Sequence, residues 1–264
     1  MNRFAVPSAV AAALVVLTAA HAADAQPKPK VARACGISAI PLTVGNQWIY
    51  ESAGLPADRA LTENQLKGLP VIPKQVTITV KSVDTKDGVT TVTLTEDLDG
   101  RAHETSITCT ATSLVMSPNA FWFNGEPGDV FGIELTDVER KGRTFAIAAG
   151  KLDTVTPDWH DDLNAKWRHI AVGKVFPTMR TGTLGLGRRV VIQPPEAITT
   201  KAGSWKANKL GIESTLAITI EPAPLKPLRE IPLLVNFMYQ VDGVGVVQTV
   251  TGSAQYLLVT SKVQ

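Results

Sequence analysis

The sequence predicts a mainly β protein in which antiparallel meanders form a curved sheet or half-barrel, with one amphipathic helix packed on it. Two observations predict the sheet: short segments alternate apolar and polar residues, and Asp-Gly or other glycine-containing turns separate them. One further segment, which repeats apolar residues at steps of three and four, predicts the helix. The chain has 264 residues, a length that is ordinary for one β-rich domain once an export signal is removed.

The N-terminal 25 residues have the pattern of a secretory signal peptide. Arg3 supplies the positive charge, residues 9–17 form an uninterrupted apolar run, and residues 20–22 or 23–25 offer a small-residue cleavage site. We therefore predict a signal peptide over residues 1–25 and a periplasmic or secreted mature protein. No later stretch reaches the roughly 18 to 20 uncharged apolar residues of a transmembrane helix, so no transmembrane segment is predicted there.

A short linker and a disulfide are predicted at the start of the mature chain. Residues 26–34 are rich in Pro and Lys and favour an extended linker, which leaves residues 35–264 as a single β-rich domain. Cys35 and Cys109 both lie in that domain, and an oxidising compartment favours a bridge between them over two free thiols. Lipidation of Cys35 is disfavoured because Arg33 stands where a lipoprotein cleavage site needs a small residue.

The first meander is predicted over residues 75–110. Apolar residues alternate with Thr and Lys, beginning with Val76, Ile78 and Val80, and this period of two is typical of a half-buried strand. Two Asp-Gly pairs, at residues 87–88 and 99–100, predict the turns between three sequential strands. The third strand is expected to place one set of residues on a common face: Thr105, Ile107 and Cys109.

The C-terminal part repeats this style without repeating the sequence. Six further strands are predicted near residues 188–193, 203–210, 212–220, 233–241, 244–251 and 254–262. Residues 221–232 carry four prolines and predict an extended connection, since Pro cannot serve interior positions of a sheet.

The helix is predicted over about residues 157–171. Thr156-Pro157-Asp158 has the composition of a helix start, and Gly173 follows the far end. One face of this helix would carry four apolar residues: Trp159, Leu163, Trp167 and Ile170. Because the helix lies between the two β regions, we expect its apolar face to cover the sheet.

The histidines do not form a pattern typical of a metal site. His103-Glu104 begins like a zinc-protease motif, but that motif needs a helix and a second His where Ile107 stands. His103 is therefore predicted to be a surface residue of a strand. His160 and His169 are nine residues apart, on opposite sides of the predicted helix, and cannot share a metal.

Catalysis and nucleic-acid binding have no support in the sequence. There is no Gly-x-Ser-x-Gly nucleophile elbow, and the carboxylates of Glu96, Asp97 and Asp99 are assigned to turn geometry. The formal net charge is +2, and no cluster of Lys and Arg forms a basic stripe. We predict a protein that is not an enzyme and that uses no cofactor, metal ion or nucleic-acid partner.

Two short stretches carry a resemblance to known proteins. Residues 41–50, Pro-Leu-Thr-Val-Gly-Asn-Gln-Trp-Ile-Tyr, resemble the opening of a group of poorly characterised exported bacterial proteins. Those proteins also tend to end like residues 241–247, Val-Asp-Gly-Val-Gly-Val-Val. The overall plan is similar to the half-barrel of periplasmic lipoprotein carriers, and this resemblance implies lipid handling.

The leading hypothesis is an exported binding module that holds a lipid or acyl chain in the curved sheet. Its ligand-binding residues would be Trp159, Leu163 and Trp167 of the helix, together with Trp122. One alternative is a structural or interaction protein of the envelope, which binds another protein through exposed strand edges or through its Pro-rich linker. Another alternative is a carbohydrate-binding module that uses the rings of residues 121–123.

Overall fold

A computed structural model describes residues 34–55, 72–117, 120–121, 133–148, 151–152, 159–169, 181–221, 228–252 and 254–264. Residues 31–264 cluster as one compact unit. The predicted signal peptide and nearly all of the predicted linker lie outside the described residues.

The described residues form fourteen strands. Strands β1 to β5 are Gln47–Ala53, Gln75–Lys86, Val89–Leu98, Arg101–Cys109 and Ser113–Met116. Strands β6 to β9 are Ile133–Gly142, Phe145–Ala148, Lys151–Leu152 and Trp159–His169. Strands β10 to β14 are Thr181–Thr200, Gly203–Ile218, Leu228–Val241, Gly245–Val250 and Gln255–Lys262. They pair in the order β6-β9-β10-β11-β12-β13-β14-β1-β2-β3-β4-β5-β7-β8, and the prediction of an antiparallel β architecture is confirmed.

The two predicted Asp-Gly turns are confirmed. Asp87 and Gly88 have φ angles of 52° and 78°, and Asp99 and Gly100 have φ angles of 53° and 86°. Positive φ at both central residues is the geometry of a type I′ turn, whose twist matches that of the strands it joins. Strands β2, β3 and β4 consequently pair in sequence, and the alternating residues predicted to share a face are buried together.

The predicted helix is wrong over residues 159–169, which form strand β9 between β6 and β10. Buried Leu163, Ala165 and Trp167 alternate there with exposed polar residues, and a period of two belongs to a strand. The predicted ends of the helix, residues 157–158 and 170–171, lie outside the described residues.

The hairpin of β10 and β11 is longer than the sequence predicted. Strand β10 extends on both sides of the strand predicted near residues 188–193, and β11 replaces the two separate strands predicted near residues 203–210 and 212–220. The register of the pair shifts between Gln193 and Glu196, where two prolines stand. Part of the proline-rich connection is also strand, because Pro232 pairs with Thr215 inside β12. In the described residues, β13 pairs with β12 only from Phe237 onward. Pro232 therefore has no β13 partner to which it would need to donate an amide hydrogen.

The sheet curls so that its distant strands meet. We call inner the face that carries Trp48, Tyr50 and Ile78, all fully buried. A continuous core on this sheet draws residues from β1 to β5 and from β10 to β14. Strands β5 and β10 are far apart in the sheet order, yet Arg188 of β10 donates a hydrogen bond to the carbonyl oxygen of Met116 in β5.

A disulfide ties the segment before β1 to the first meander. Cys35 and Cys109 are joined, with their Cα atoms 5.6 Å apart, as the sequence predicted. Three apolar residues that follow Cys35 are fully buried: Ile37, Ile40 and Leu42. The segment is therefore part of the core and not an extension of the linker.

The two stretches that carried the sequence resemblance contact one another. The indole N–H of Trp48 donates to the carbonyl oxygen of Val244 (2.7 Å), and the hydroxyl of Tyr50 donates to that of Val246 (2.8 Å). A Cβ at Gly245 would lie 2.8 Å from the Trp48 indole nitrogen, so glycine is the residue that leaves room for the ring. The two motifs thus serve to join β1 to the turn that follows β12 and to the start of β13.

Strand β6 is the first strand in the sheet order. Within the described residues, β9 is the only strand with which it pairs. Its register shifts between Thr136 and Glu139, and Asp137 has a φ of 51°. Exposed ion pairs link this strand to β9 and to itself, between Asp137 and Lys166 and between Glu139 and Lys141.

Candidate functional site

A second apolar cluster lies apart from the continuous core. We call it the β9–β10 cluster. Its buried members are Leu163, Ala165, Trp167 and Leu184, and its partly buried members are Leu135, Leu186 and Ile220. Leu163 pairs with Leu186 and Ala165 pairs with Leu184 across the two strands, so these side chains share one face.

Trp167 occupies a fixed position at the end of this cluster. Its indole N–H is shared between the carbonyl oxygens of Thr183 (3.2 Å) and Thr219 (3.1 Å). Gly182 lies directly opposite, and a Cβ there would come within 2.8 Å of the indole nitrogen and 1.9 Å of the Thr219 carbonyl oxygen. Glycine at residue 182 is therefore required for the ring and the two carbonyls to meet.

The β9–β10 cluster continues the inner face of the sheet. Leu184, Leu186, Arg188 and Val190 alternate along β10, and Val190 belongs to the continuous core. Arg188 separates the two apolar regions, with 6% of its surface exposed. Its guanidinium donates to the Met116 carbonyl oxygen (2.7 Å), so a buried cation marks the boundary.

The residues predicted to bind a ligand are only partly brought together. Leu163 and Trp167 are neighbours in the β9–β10 cluster, on a strand instead of the predicted helix. Trp159 lies in the same strand opposite Val190, and Trp122 lies outside the described residues. Phe121, predicted as part of an aromatic platform, is fully buried and packs edge-on against Trp48 with ring centroids 6.1 Å apart.

A buried polar network was missed by the sequence reasoning. The carboxylate of Glu96 accepts hydrogen bonds from the hydroxyl of Thr105 and the backbone N–H of Phe121, both at 3.0 Å. Its other oxygen lies 3.6 Å from Nε2 of His103. Glu96 is fully buried and the His103 side chain is 12% exposed, so the assignments of Glu96 to a turn and of His103 to the surface are both wrong.

The alternation of β3 could have identified this network. Glu96 follows Val92 and Leu94 at intervals of two, so it must share their inward face. His103 lies directly opposite Glu96 in β4, and residues so paired point to the same side of a sheet.

Glu96 also affects the electrostatics of β1, which is separated from β3 by β2. Burial raises the pKa of Tyr50 well above its ordinary value, and the negative charge of Glu96 raises that pKa further. The Tyr50 hydroxyl therefore stays protonated and keeps donating to Val246. The network can hold residues 120–121 against the core, because Glu96 binds the amide of Phe121.

Within the described ranges, no group of three or more His, Cys, Asp and Glu side chains has the geometry to hold a metal ion. The same ranges contain no helix with the length and apolar character needed to cross a membrane.

No family model matches the chain, and no curated protein matches it in sequence. Two solved structures resemble it. One is a Bacteroides fragilis protein described as exported and as having a YmcC-like fold, with 12% sequence identity and a TM-score of 0.48, covering 86% of this chain and 99% of that one. The other is a Parabacteroides distasonis protein described as a lipoprotein, with 13% identity and a TM-score of 0.49, covering 86% of this chain and 99% of that one.

Proposed function

We propose that this protein is an exported, non-catalytic binding module that holds the apolar part of a lipid or acyl chain on the inner face of its curved sheet. The observation that carries the proposal is the β9–β10 cluster, which extends the apolar inner face beyond Arg188 and, among the described residues, is separate from the continuous core. Ligand sites are mostly apolar surfaces with a few fixed polar groups, and this cluster supplies the apolar surface.

Leu163, Trp167 and Leu184 would line the ligand. The Trp167 ring is oriented by its two hydrogen bonds and by Gly182, and a preorganised ring loses little conformational entropy on binding.

The two alternatives from the sequence have weaker support. A carbohydrate platform at residues 121–123 would need exposed rings, and Phe121 is buried against Trp48. Protein binding through the edge of β6 would need a flat edge, whereas this edge carries a register shift and charged residues.

The proposal is tested with a fluorescent fatty acid and with native mass spectrometry of protein isolated from its export compartment. Leu184→Ala removes three carbon atoms and should weaken fatty-acid binding by up to about fiftyfold, since each buried methylene contributes about 0.8 kcal/mol. Leu98→Ala is the matched control, because Leu98 and Leu184 are both 5% exposed but Leu98 belongs to the continuous core.

Both variants should lower the melting temperature, and only Leu184→Ala should change the affinity for the fatty acid. The proposal is wrong if the isolated protein carries no lipid and the wild type takes up no fatty acid. Equal affinities of the two variants for the fatty acid would show that the ligand does not bind at the β9–β10 cluster.

A further inference from the structure

The inner face of β12 and β13 carries two polar side chains that the proposed function does not use. Gln240 is 1% exposed and Thr249 is 0% exposed. Thr249 lies directly opposite Met238 on β12 and Tyr256 on β14, both of which are core residues. Gln240 follows Met238 by two positions and contacts its sulfur through Nε2 (3.0 Å), so Gln240 and Thr249 share this face.

Each of these side chains presents an atom that the described part of the protein leaves without a hydrogen bond. The atoms are Oε1 of Gln240 and Oγ1 of Thr249. A buried polar atom without a partner costs about 1–3 kcal/mol, so two such atoms on adjacent strands call for a partner beyond the described residues.

We propose that Gln240 and Thr249 form an internal site for an uncharged, hydroxyl-bearing guest. Gln240 and Thr249 are diagonal neighbours on β12 and β13, with a register shift between Tyr239 and Gln240, and one hydroxyl group can bridge them when both side chains lean toward it. The guest donates its proton to Oε1 of Gln240 and accepts from the hydroxyl of Thr249. A charged head group is disfavoured because it would have to leave water for a site with no opposite charge on either side chain.

Two sources can supply this hydroxyl. One is an ordered water molecule, which buried polar pairs of this kind commonly hold. The other is the alcohol group of a bound amphiphile such as a monoacylglycerol, and this source rests on the proposed function.

The experiment compares the melting temperatures of the wild type and Thr249→Val, which removes the hydroxyl at nearly constant volume. Both proteins are measured after removal of lipid and again after loading with 1-monooleoylglycerol or with methyl oleate, which lacks the alcohol. Thr105→Val is the control for loss of a satisfied hydroxyl, because Thr105 donates to Glu96. Gln240→Met is a second variant that tests the other half of the site.

A lower melting temperature of Thr249→Val in the lipid-free state, by about 2–4 °C, assigns the site to water. A decrease seen only with 1-monooleoylglycerol, and absent with methyl oleate, assigns it to the amphiphile. The inference is overturned if both Thr249→Val and Gln240→Met melt at or above the wild-type temperature in every state, because removing an unsatisfied polar atom stabilises a core. If only the proposed function is wrong, 1-monooleoylglycerol should not change the melting-temperature difference between Thr249→Val and the wild type. The difference measured without lipid should remain.

Discussion

Arg188 of β10 and Met116 of β5 are joined by a 2.7 Å hydrogen bond from Nη2 to the backbone carbonyl oxygen. The same guanidinium lies 3.3 Å from the hydroxyl oxygen of Thr144, which itself accepts from the backbone N–H of Met116 (3.0 Å). Side chains therefore connect two strands that do not pair through their backbones.

We expect Arg188→Met to destabilise the protein by about 1.5–3 kcal/mol, the contribution of hydrogen bonds that involve a charged group. The apolar stem is kept, so the loss reports on the guanidinium and its contacts with the end of β5. Urea denaturation measures the effect. Arg189→Met is the control, since Arg189 is exposed and should change stability by no more than about 0.5 kcal/mol; similar losses in both variants would contradict this role of Arg188.

Removing the disulfide should cost about 2–5 kcal/mol, because Cys35 and Cys109 close a long loop with a sequence separation of 74. The double variant Cys35→Ala/Cys109→Ala should unfold at lower urea concentration than the wild type, and reductant should affect only the wild type. Two titratable thiols in denatured, unreduced protein would show that the bridge does not form.

The carboxylate of Asp99 should make stability depend on acid pH. It accepts from the backbone N–H groups of Lys74 (2.7 Å) and Gln75 (2.9 Å), and these bonds lower the pKa of Asp99 from its ordinary value of 3.8. Since the pKa is lower in the folded state, the stabilisation is present above the unfolded value and is lost as the pH falls through the folded value.

Melting curves of the wild type and Asp99→Asn test this effect. The wild type should be more stable near neutral pH, and the difference should shrink as the pH falls below about 4. Asn tolerates the positive φ of residue 99, so the turn is retained. Asp87→Asn, at the matching position of the other turn, controls for the exchange itself; a difference for Asp99→Asn that does not change with pH would refute the prediction.

Replacing Glu96 should loosen the contact between Phe121 and Trp48. Glu96→Leu leaves the Thr105 hydroxyl and the Phe121 N–H without their acceptor, at about 1–3 kcal/mol for each buried group. Near-ultraviolet circular dichroism should report the change through the Trp48 ring. Glu104→Leu, at an exposed position of the adjacent strand, is the control; an unchanged spectrum for Glu96→Leu would mean that other contacts hold Phe121.

The first meander could be predicted from local chemistry alone. Its strands alternate strictly, and the Asp-Gly pairs at 87–88 and 99–100 specify type I′ turns, so neighbours in sequence become neighbours in the sheet. The pairing of β1 with β14 could not be predicted in this way, because it joins residues about 200 positions apart and depends on the whole core.

The error at β9 has a physical explanation. Trp159, Leu163 and Trp167 are spaced by four, and four is close to one helical turn but is also twice the period of a strand. Ala165, between Leu163 and Trp167, decides the question, since it is apolar at the position where a helix would point it away from them. Because the side chain of alanine is small, Ala165 is a weak indicator of a buried position in the sequence.

Part of the candidate site could be predicted from the spacing of apolar residues within one strand. Leu163 and Trp167 were identified as apolar partners from their spacing, and they do meet. Leu184 was missed, because nothing local relates it to β9 and only the pairing of β9 with β10 places it beside Ala165.

The irregular edge of the sheet has a consequence for the protein in concentrated solution. The backbone of Asp137 has a positive φ angle, and charged residues flank it. This irregularity interrupts the row of hydrogen-bonding groups that a second molecule would need to match. Stacking of copies through β6 would have to straighten this kink and bury Asp137 and Glu139, so fibril growth from that edge is opposed by the strand itself.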